Sequence, residues 1–142
     1  MRLTLYTDYA LRILMMLAAR PAALTTVSEI AAFYAISENH LMKIVRRLRK
    51  DGVIETVRGR KGGLRLALKP AEINIGQIVR NYEDDMRIVE CFDAETNTCP
   101  IAGACALTKT IGEALGAFQA TLDRKTLADV LAESPKLNRN FG

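Results

Sequence analysis

Residues 26–50 read TVSEIAAFYAISENHLMKIVRRLRK. Thr26 followed by Glu29 is a capping box, which predicts a helix starting at Val27. Ile30, Ala31 and Tyr34 recur at helical spacing and supply its buried face. Ala35-Ile36-Ser37 leaves room only for a tight turn, after which Ser37 is placed to cap a further helix running to about Lys50. Within it Leu41, Ile44, Val45 and Leu48 form one apolar stripe. Asp51-Gly52 ends the helix, glycine being suited to the left-handed position past its last turn. Two short helices joined by a tight turn make a helix-turn-helix.

Moving outward, Thr7 is placed to cap an earlier helix over Tyr9 to Arg20, with Asp8 at the positive end of its dipole and Pro21 as the stop. Asp8 and Arg12 lie four apart and can pair on one face. On the other side, Val53 to Val57 and the alternating Leu64, Leu66 and Leu68 read as two strands. Arg58-Gly59-Arg60-Lys61-Gly62-Gly63 forms the hairpin tip between them. Helix-turn-helix followed by hairpin is the winged order. Pro70 marks a boundary, so residues 1–69 are expected to form one domain and residues 70–142 a second unit.

In that second unit Asn74 is placed to cap a helix from Ile75 to Tyr82. Residues 83–90 are acidic and undecided, and Cys91 to Cys105 lacks any helix period and reads as a loop. A long helix then runs from Cys105 to about Arg124, with Leu107, Ile111, Leu115 and Phe118 on one side beside Ala114 and Leu122. Thr126 caps a short helix through Ala132, and Ser134 to Gly142 reads as frayed. The fold class is mostly α with a small β wing.

Charge divides at the same boundary. Residues 1–69 hold 13 Lys/Arg against 5 Asp/Glu, whereas residues 70–142 hold 7 against 11. A basic half points to a polyanion. Asn39, Lys43, Arg46, Arg47 and Lys50 recur three or four apart, opposite the Leu41–Leu48 stripe. Ser37, Asn39, His40 and Lys43 are best placed to touch base edges in a major groove. Arg46, Arg47 and Lys50 lie where phosphates run. Arg58, Arg60 and Lys61 crowd the wing tip, and Arg60 is suited to a narrow minor groove. Any one of these charge runs could be a solvated face, but caps, turn, wing and charge asymmetry together point to duplex DNA. His40, the only histidine of the chain, belongs to that face rather than to a metal site. The apolar stretches, such as Ile13 to Ala19, are too short for a membrane span. The opening residues lack a signal-type apolar region, so a cytoplasmic protein is expected.

All three cysteines lie between positions 91 and 105. An odd count argues against a disulfide framework. Gaps of seven and five residues are wide for structural zinc and suit the larger body of an iron–sulfur cluster, which ordinarily takes four ligands. Cys105 falls at a helix N-terminus, where thiolate is favoured. Three free, incidental thiols remain the alternative. With one histidine, in the DNA-facing helix, an enzyme reading such as a thiol oxidoreductase is weak.

Thr7-Asp8-Tyr9-Ala10-Leu11-Arg12, the wing from Val57 to Leu66, and the three-cysteine loop followed by a long helix resemble the IscR/NsrR family of winged-helix iron–sulfur repressors. Leu122 to Asp129 is similar to the C-terminal segment of its nitric-oxide-sensing branch. The resemblance covers nearly the whole chain. It implies a homodimer built on the long helix, gripping a palindromic DNA operator. It also implies an iron–sulfur cluster on Cys91, Cys99 and Cys105, 4Fe–4S in preference to 2Fe–2S. The iron–sulfur-homeostasis branch places a histidine just after its third cysteine, where this chain has Ala106 and Leu107. In the nitric-oxide branch a carboxylate near the N-terminus serves across the dimer, and Asp8 matches that position. The first gap of seven is similar to an iron-responsive branch, which leaves iron status beside nitric oxide as the signal. A cluster-free regulator sensing thiol oxidation or a small molecule is the further alternative.

Overall fold

The computed structural model describes residues 2–137 and 141. Helix α1 (Leu5–Ala19) begins at Thr4, whose hydroxyl accepts the Thr7 N–H at 3.3 Å. Thr7 is therefore not the cap that local spacing suggests. It sits one turn in, fully buried, and its hydroxyl donates to Glu83 at 2.6 Å. The same Glu83 carboxylate also accepts the N–H and the hydroxyl of Thr4, at 3.0 and 3.1 Å.

The next elements follow their local chemistry. Helix α2 (Val27–Tyr34) has the Thr26–Glu29 capping box formed in both directions. Ala35 makes the turn with φ of 54°, a left-handed conformation seldom adopted by a residue with a side chain. Helix α3 (Glu38–Lys50) is capped by Ser37, which accepts the His40 N–H. Leu41, Ile44, Val45 and Leu48 are all buried, as the stripe requires.

Strands β1 (Ile54–Val57) and β2 (Gly63–Leu66) pair antiparallel, Ile54 opposite Leu66 and Val57 opposite Gly63. The ladder stops earlier than the Leu64–Leu68 alternation suggests, and Leu68 is exposed. At the tip Gly59 has φ of 116°, and a Cβ on Gly62 would lie 2.2 Å from the Val57 carbonyl oxygen. Both positions require glycine. Leu64 exchanges backbone hydrogen bonds with Thr25, at 2.8 and 3.1 Å, which stitches the wing to the entrance of α2.

Beyond a short 3-10 turn at Pro70–Glu72 come α4 (Ile75–Tyr82), α5 (Ala106–Asp123) and α6 (Leu127–Ala132). Asn74 caps α4, and Thr126 with Asp129 forms the capping box of α6. Ile73, Ile78, Tyr82 and Leu127 join the same core as Ile13, Leu14, Ile30 and Leu48. Burying each such side chain contributes about 1.5–3 kcal/mol. The end of α5 is clamped to the start of α4. Asn74 Nδ2 donates to the Asp123 carbonyl at 2.7 Å, Ile75 N–H to the Lys125 carbonyl at 2.9 Å, and Arg80 pairs with the Asp123 carboxylate at 2.6 Å. Gly76 permits this approach, because a Cβ there would lie 2.0 Å from Asp123 Oδ1.

The chain end is not frayed where it is described. Leu137 packs on the core, and Phe141 is buried against Phe33, with ring centroids 4.8 Å apart. Residues 138–140 and 142, also covered by that expectation, lie outside the described residues. No residue of α5 is buried. Leu107 is 62% exposed, and Ile111, Leu115 and Phe118 are only partly covered. Among the described residues no helix is long and apolar enough to cross a membrane.

Candidate nucleic-acid interface and cysteine segment

Burying Leu41, Ile44, Val45 and Leu48 turns the opposite side of α3 outward. Ser37, Asn39, His40, Lys43, Arg46, Arg47 and Lys50 are all exposed, as are Arg58, Arg60 and Lys61 on the wing. Arg49, which the spacing argument omits, is exposed as well. Lys43, Arg46, Lys50, Arg58, Arg60 and Lys61 form no ion pair among the described residues. Their charges are thus uncompensated among the described residues, which leaves them available to phosphates. The helix is tied to α2 by Ser28, which donates to Glu38 at 2.6 Å.

Arg47 differs from its neighbours. Its Nε donates to Asp51 Oδ2 at 2.9 Å, and its guanidinium lies 5.7 Å from the centre of the Tyr82 ring. Arg47 is i,i+4 from Asp51, which sequence spacing could have shown. Tyr82, 35 positions further on, could not be seen that way.

Two short 3-10 turns, Glu90–Phe92 and Ala102–Ala104, punctuate the cysteine segment. Local carboxylates shape it: Glu90 accepts from both the N–H and the hydroxyl of Thr98 at 2.7 Å, and Asp93 accepts from Thr96 at 2.8 Å. Arg87 pairs with both Asp85 and Asp93. Cys91, Cys99 and Cys105 are half-buried free thiols. Cys91 Sγ lies 3.3 Å from Thr108 Oγ1. Cys105 stands at the N-cap of α5. There the backbone N–H of Thr108, then that of Leu107, hold its thiol below the usual range.

Three thiols, one of them on a helix N-terminus, fit the donor set of an iron–sulfur cluster and would supply three of four ligands. Among the described residues no three His, Cys, Asp or Glu side chains gather as a metal site. Asp8 is engaged by Arg12 at 2.6 Å. The single chain therefore does not by itself assemble the four expected ligands.

A basic helix-turn-helix, a two-stranded wing and a cysteine segment leading into a long uncovered helix have the build of a winged-helix transcriptional regulator. The Rrf2 family, described as "Iron-dependent Transcriptional regulator", matches residues 3–133, and the chain belongs to that family. It is 53% identical over 132 residues to the HTH-type transcriptional regulator NsrR of Bacillus subtilis (strain 168), covering 92% of this chain and 90% of that protein. It is 50% identical over 138 residues to NsrR of Geobacillus kaustophilus (strain HTA426), covering 96% and 94%. Among solved structures it resembles T. potens IscR, with a TM-score of 0.72, 26% identity and coverage of 94% and 88%. CymR (YrzC), the global cysteine regulator of B. subtilis, gives a TM-score of 0.71, 26% identity and coverage of 94% and 98%.

Proposed function

We propose that the chain is a cytoplasmic, homodimeric repressor whose grip on a palindromic operator is switched by an iron–sulfur cluster that senses nitric oxide. In this reading residues 1–69 dock on DNA and residues 70–142 hold the cluster and the second copy. Asn39, His40 and Lys43 read base edges, with Ser37 at the helix entrance. Arg46, Arg47, Lys50, Arg58, Arg60 and Lys61 meet phosphates or the minor groove. The uncovered apolar side of α5 supports dimerisation. A cavity of about 450 Å³ beside it, lined by Leu3, Met86, Ile88, Leu115 and Phe118 together with the charged Arg2, Glu83, Asp85 and Arg87, adds further, partly apolar surface for a second copy.

Cys91, Cys99 and Cys105 would hold the cluster, 4Fe–4S in preference to 2Fe–2S, with the partner subunit's Asp8 as fourth ligand. When bound, the cluster supplies iron accessible to nitric oxide at its weak, non-thiolate position. Asp8 has two competing roles, as a ligand across the dimer and as the partner of Arg12 on its own helix. Releasing Asp8 to Arg12 and loosening the cysteine segment would shift the dimer away from its DNA-binding geometry.

The observation that carries this reading is the trio of free thiols ending at a helix N-terminus, on a chain 53% identical to a regulator named NsrR. The test is anaerobic purification followed by visible absorption, iron analysis and binding to duplex DNA at several salt concentrations. Visible bands lost in Cys99→Ser, together with binding that falls steeply with salt, support it. A colourless, iron-free protein that still binds DNA would favour a cluster-free regulator sensing thiol oxidation or a small molecule. The gap of seven residues between Cys91 and Cys99, similar to that of the family's iron-responsive branch, supports iron status as an alternative signal.

A further inference from the structure

Two consecutive residues at the end of α4 reach in different directions. Tyr82, 3% exposed, donates its hydroxyl to Asp51 Oδ2 at 2.9 Å, immediately beyond α3. The same oxygen accepts Arg47 Nε at 2.9 Å. Tyr6 of α1 stacks on Tyr82, with centroids 5.9 Å apart, and its own hydroxyl reaches the Lys43 carbonyl at 3.5 Å. Glu83 accepts the Thr4 N–H at 3.0 Å and the Thr7 hydroxyl at 2.6 Å, at the start of the helix that carries Asp8. One dipeptide thus holds the end of the recognition helix, the start of α1 and the head of the segment leading to Cys91.

The bonds are of the strong kind. Tyr82 and Arg47 both donate to an ionised carboxylate, and such bonds are roughly twice as strong as neutral ones. Burial pushes the Asp51 carboxyl up, but the bonds from Arg47 and Tyr82 outweigh it and hold Asp51 below the ordinary range. The Tyr82 hydroxyl does not need this partner for packing, because its ring already fills the core between α1 and α4. What the hydroxyl adds is direction, since it fixes the last turn of α3. That helix is about 20 Å long by its rise per residue, and its entry residues must hold base contacts to on the order of 0.5 Å. A small tilt at Asp51 is therefore felt at Asn39 and Lys43.

We propose that Tyr82 is a positioning residue for DNA recognition, fixing α3 through Asp51 and Arg47 to the segment that feeds the cysteines. The proposal rests on the DNA-binding reading above. It also gives Arg47 a second role, as a strut on Asp51 beside its contact with phosphate.

Tyr82→Phe keeps the ring and removes only the hydroxyl. The test uses the full chain as purified anaerobically, a duplex selected by the wild type from a random-sequence library, and an unrelated duplex of equal length. The selected duplex should bind about tenfold more weakly to Tyr82→Phe, as loss of a charge-assisted bond implies. The unrelated duplex should stay within about twofold, and amide exchange over Arg47–Lys50 should speed up. Asp51→Asn should reproduce the pattern. Unchanged affinity with unchanged exchange overturns the proposal, and so does equal weakening on both duplexes, which marks a general loss of fold. If the wild type selects no duplex, the DNA-binding reading fails instead, and exchange in Tyr82→Phe still decides whether the hydroxyl fixes α3.

Discussion

Gly76→Ala poses a test in which two effects of known sign compete. Alanine in a helix is favoured over glycine by about 1 kcal/mol, so on propensity alone the substitution stabilises α4. The added Cβ would lie 2.0 Å from Asp123 Oδ1 and 2.9 Å from the Asp123 backbone nitrogen. The carboxylate can swing away, at the loss of its exposed pair with Arg80, which is worth about 0–1 kcal/mol. The backbone contact cannot be relieved that way, because Asn74 and Ile75 clamp the chain at 123 and 125. Overpacking of this kind costs about 1–3 kcal/mol. The clash should prevail, for a net loss of about 1–2 kcal/mol, or a fall of about 3–7 °C in Tm. Thermal unfolding by circular dichroism at fixed protein concentration reads this directly. In an Asp123→Ala background, where the carboxylate is gone, the cost of Gly76→Ala should shrink by about 1 kcal/mol without vanishing. A Tm that rises in Gly76→Ala, or a cost unaltered by Asp123→Ala, would refute the close-approach argument.

Other expectations follow from the caps and the basic face. Thr26→Ala removes one half of a reciprocal cap and should cost about 1 kcal/mol in denaturant unfolding. The backbone N–H of Thr26, then its hydroxyl, hold the Glu29 carboxyl below its ordinary value. Because the folded value is the depressed one, this stabilisation is complete above the unfolded carboxylate range and is lost as pH falls through the folded value. Glu29→Gln should therefore unfold less steeply with acid than the wild type, followed by circular dichroism from neutral pH downward. Arg46→Ala should weaken selected and unrelated duplexes alike and reduce the salt slope by about one, whereas Lys43→Ala should weaken the selected duplex more, both measured by fluorescence anisotropy.

Local chemistry was readable wherever a residue and its partner lie within one turn. The Thr26–Glu29 and Thr126–Asp129 caps, the Asp8–Arg12 pair and the buried stripe of α3 all have spacings of three or four. The misreadings share the opposite property. Thr7 has the residue type of a cap, yet Thr4 caps α1, and the Thr7 hydroxyl is turned inward to Glu83, 76 positions away. Arg47 reads as one more cation on a basic face until Tyr82 arrives from α4. Phe141 falls in a tail that reads as frayed, yet its ring finds Phe33 and Tyr34. For the site, residue types and spacing revealed an outward basic face and three free thiols. The gathering of ligands was beyond their reach, since the fourth is expected from a second copy of the chain.

The central claim is that chemistry at Cys91, Cys99 and Cys105 controls the grip of α3 on DNA. Its most direct test is the Kd of the anaerobically purified protein for its selected duplex, before and after stoichiometric nitric oxide, with bleaching of the visible absorption followed in the same samples. Weakening by about tenfold or more as the absorption bleaches is the expected result, since a switch must bind its two states with different affinity. Full bleaching with an unchanged Kd would contradict the claim.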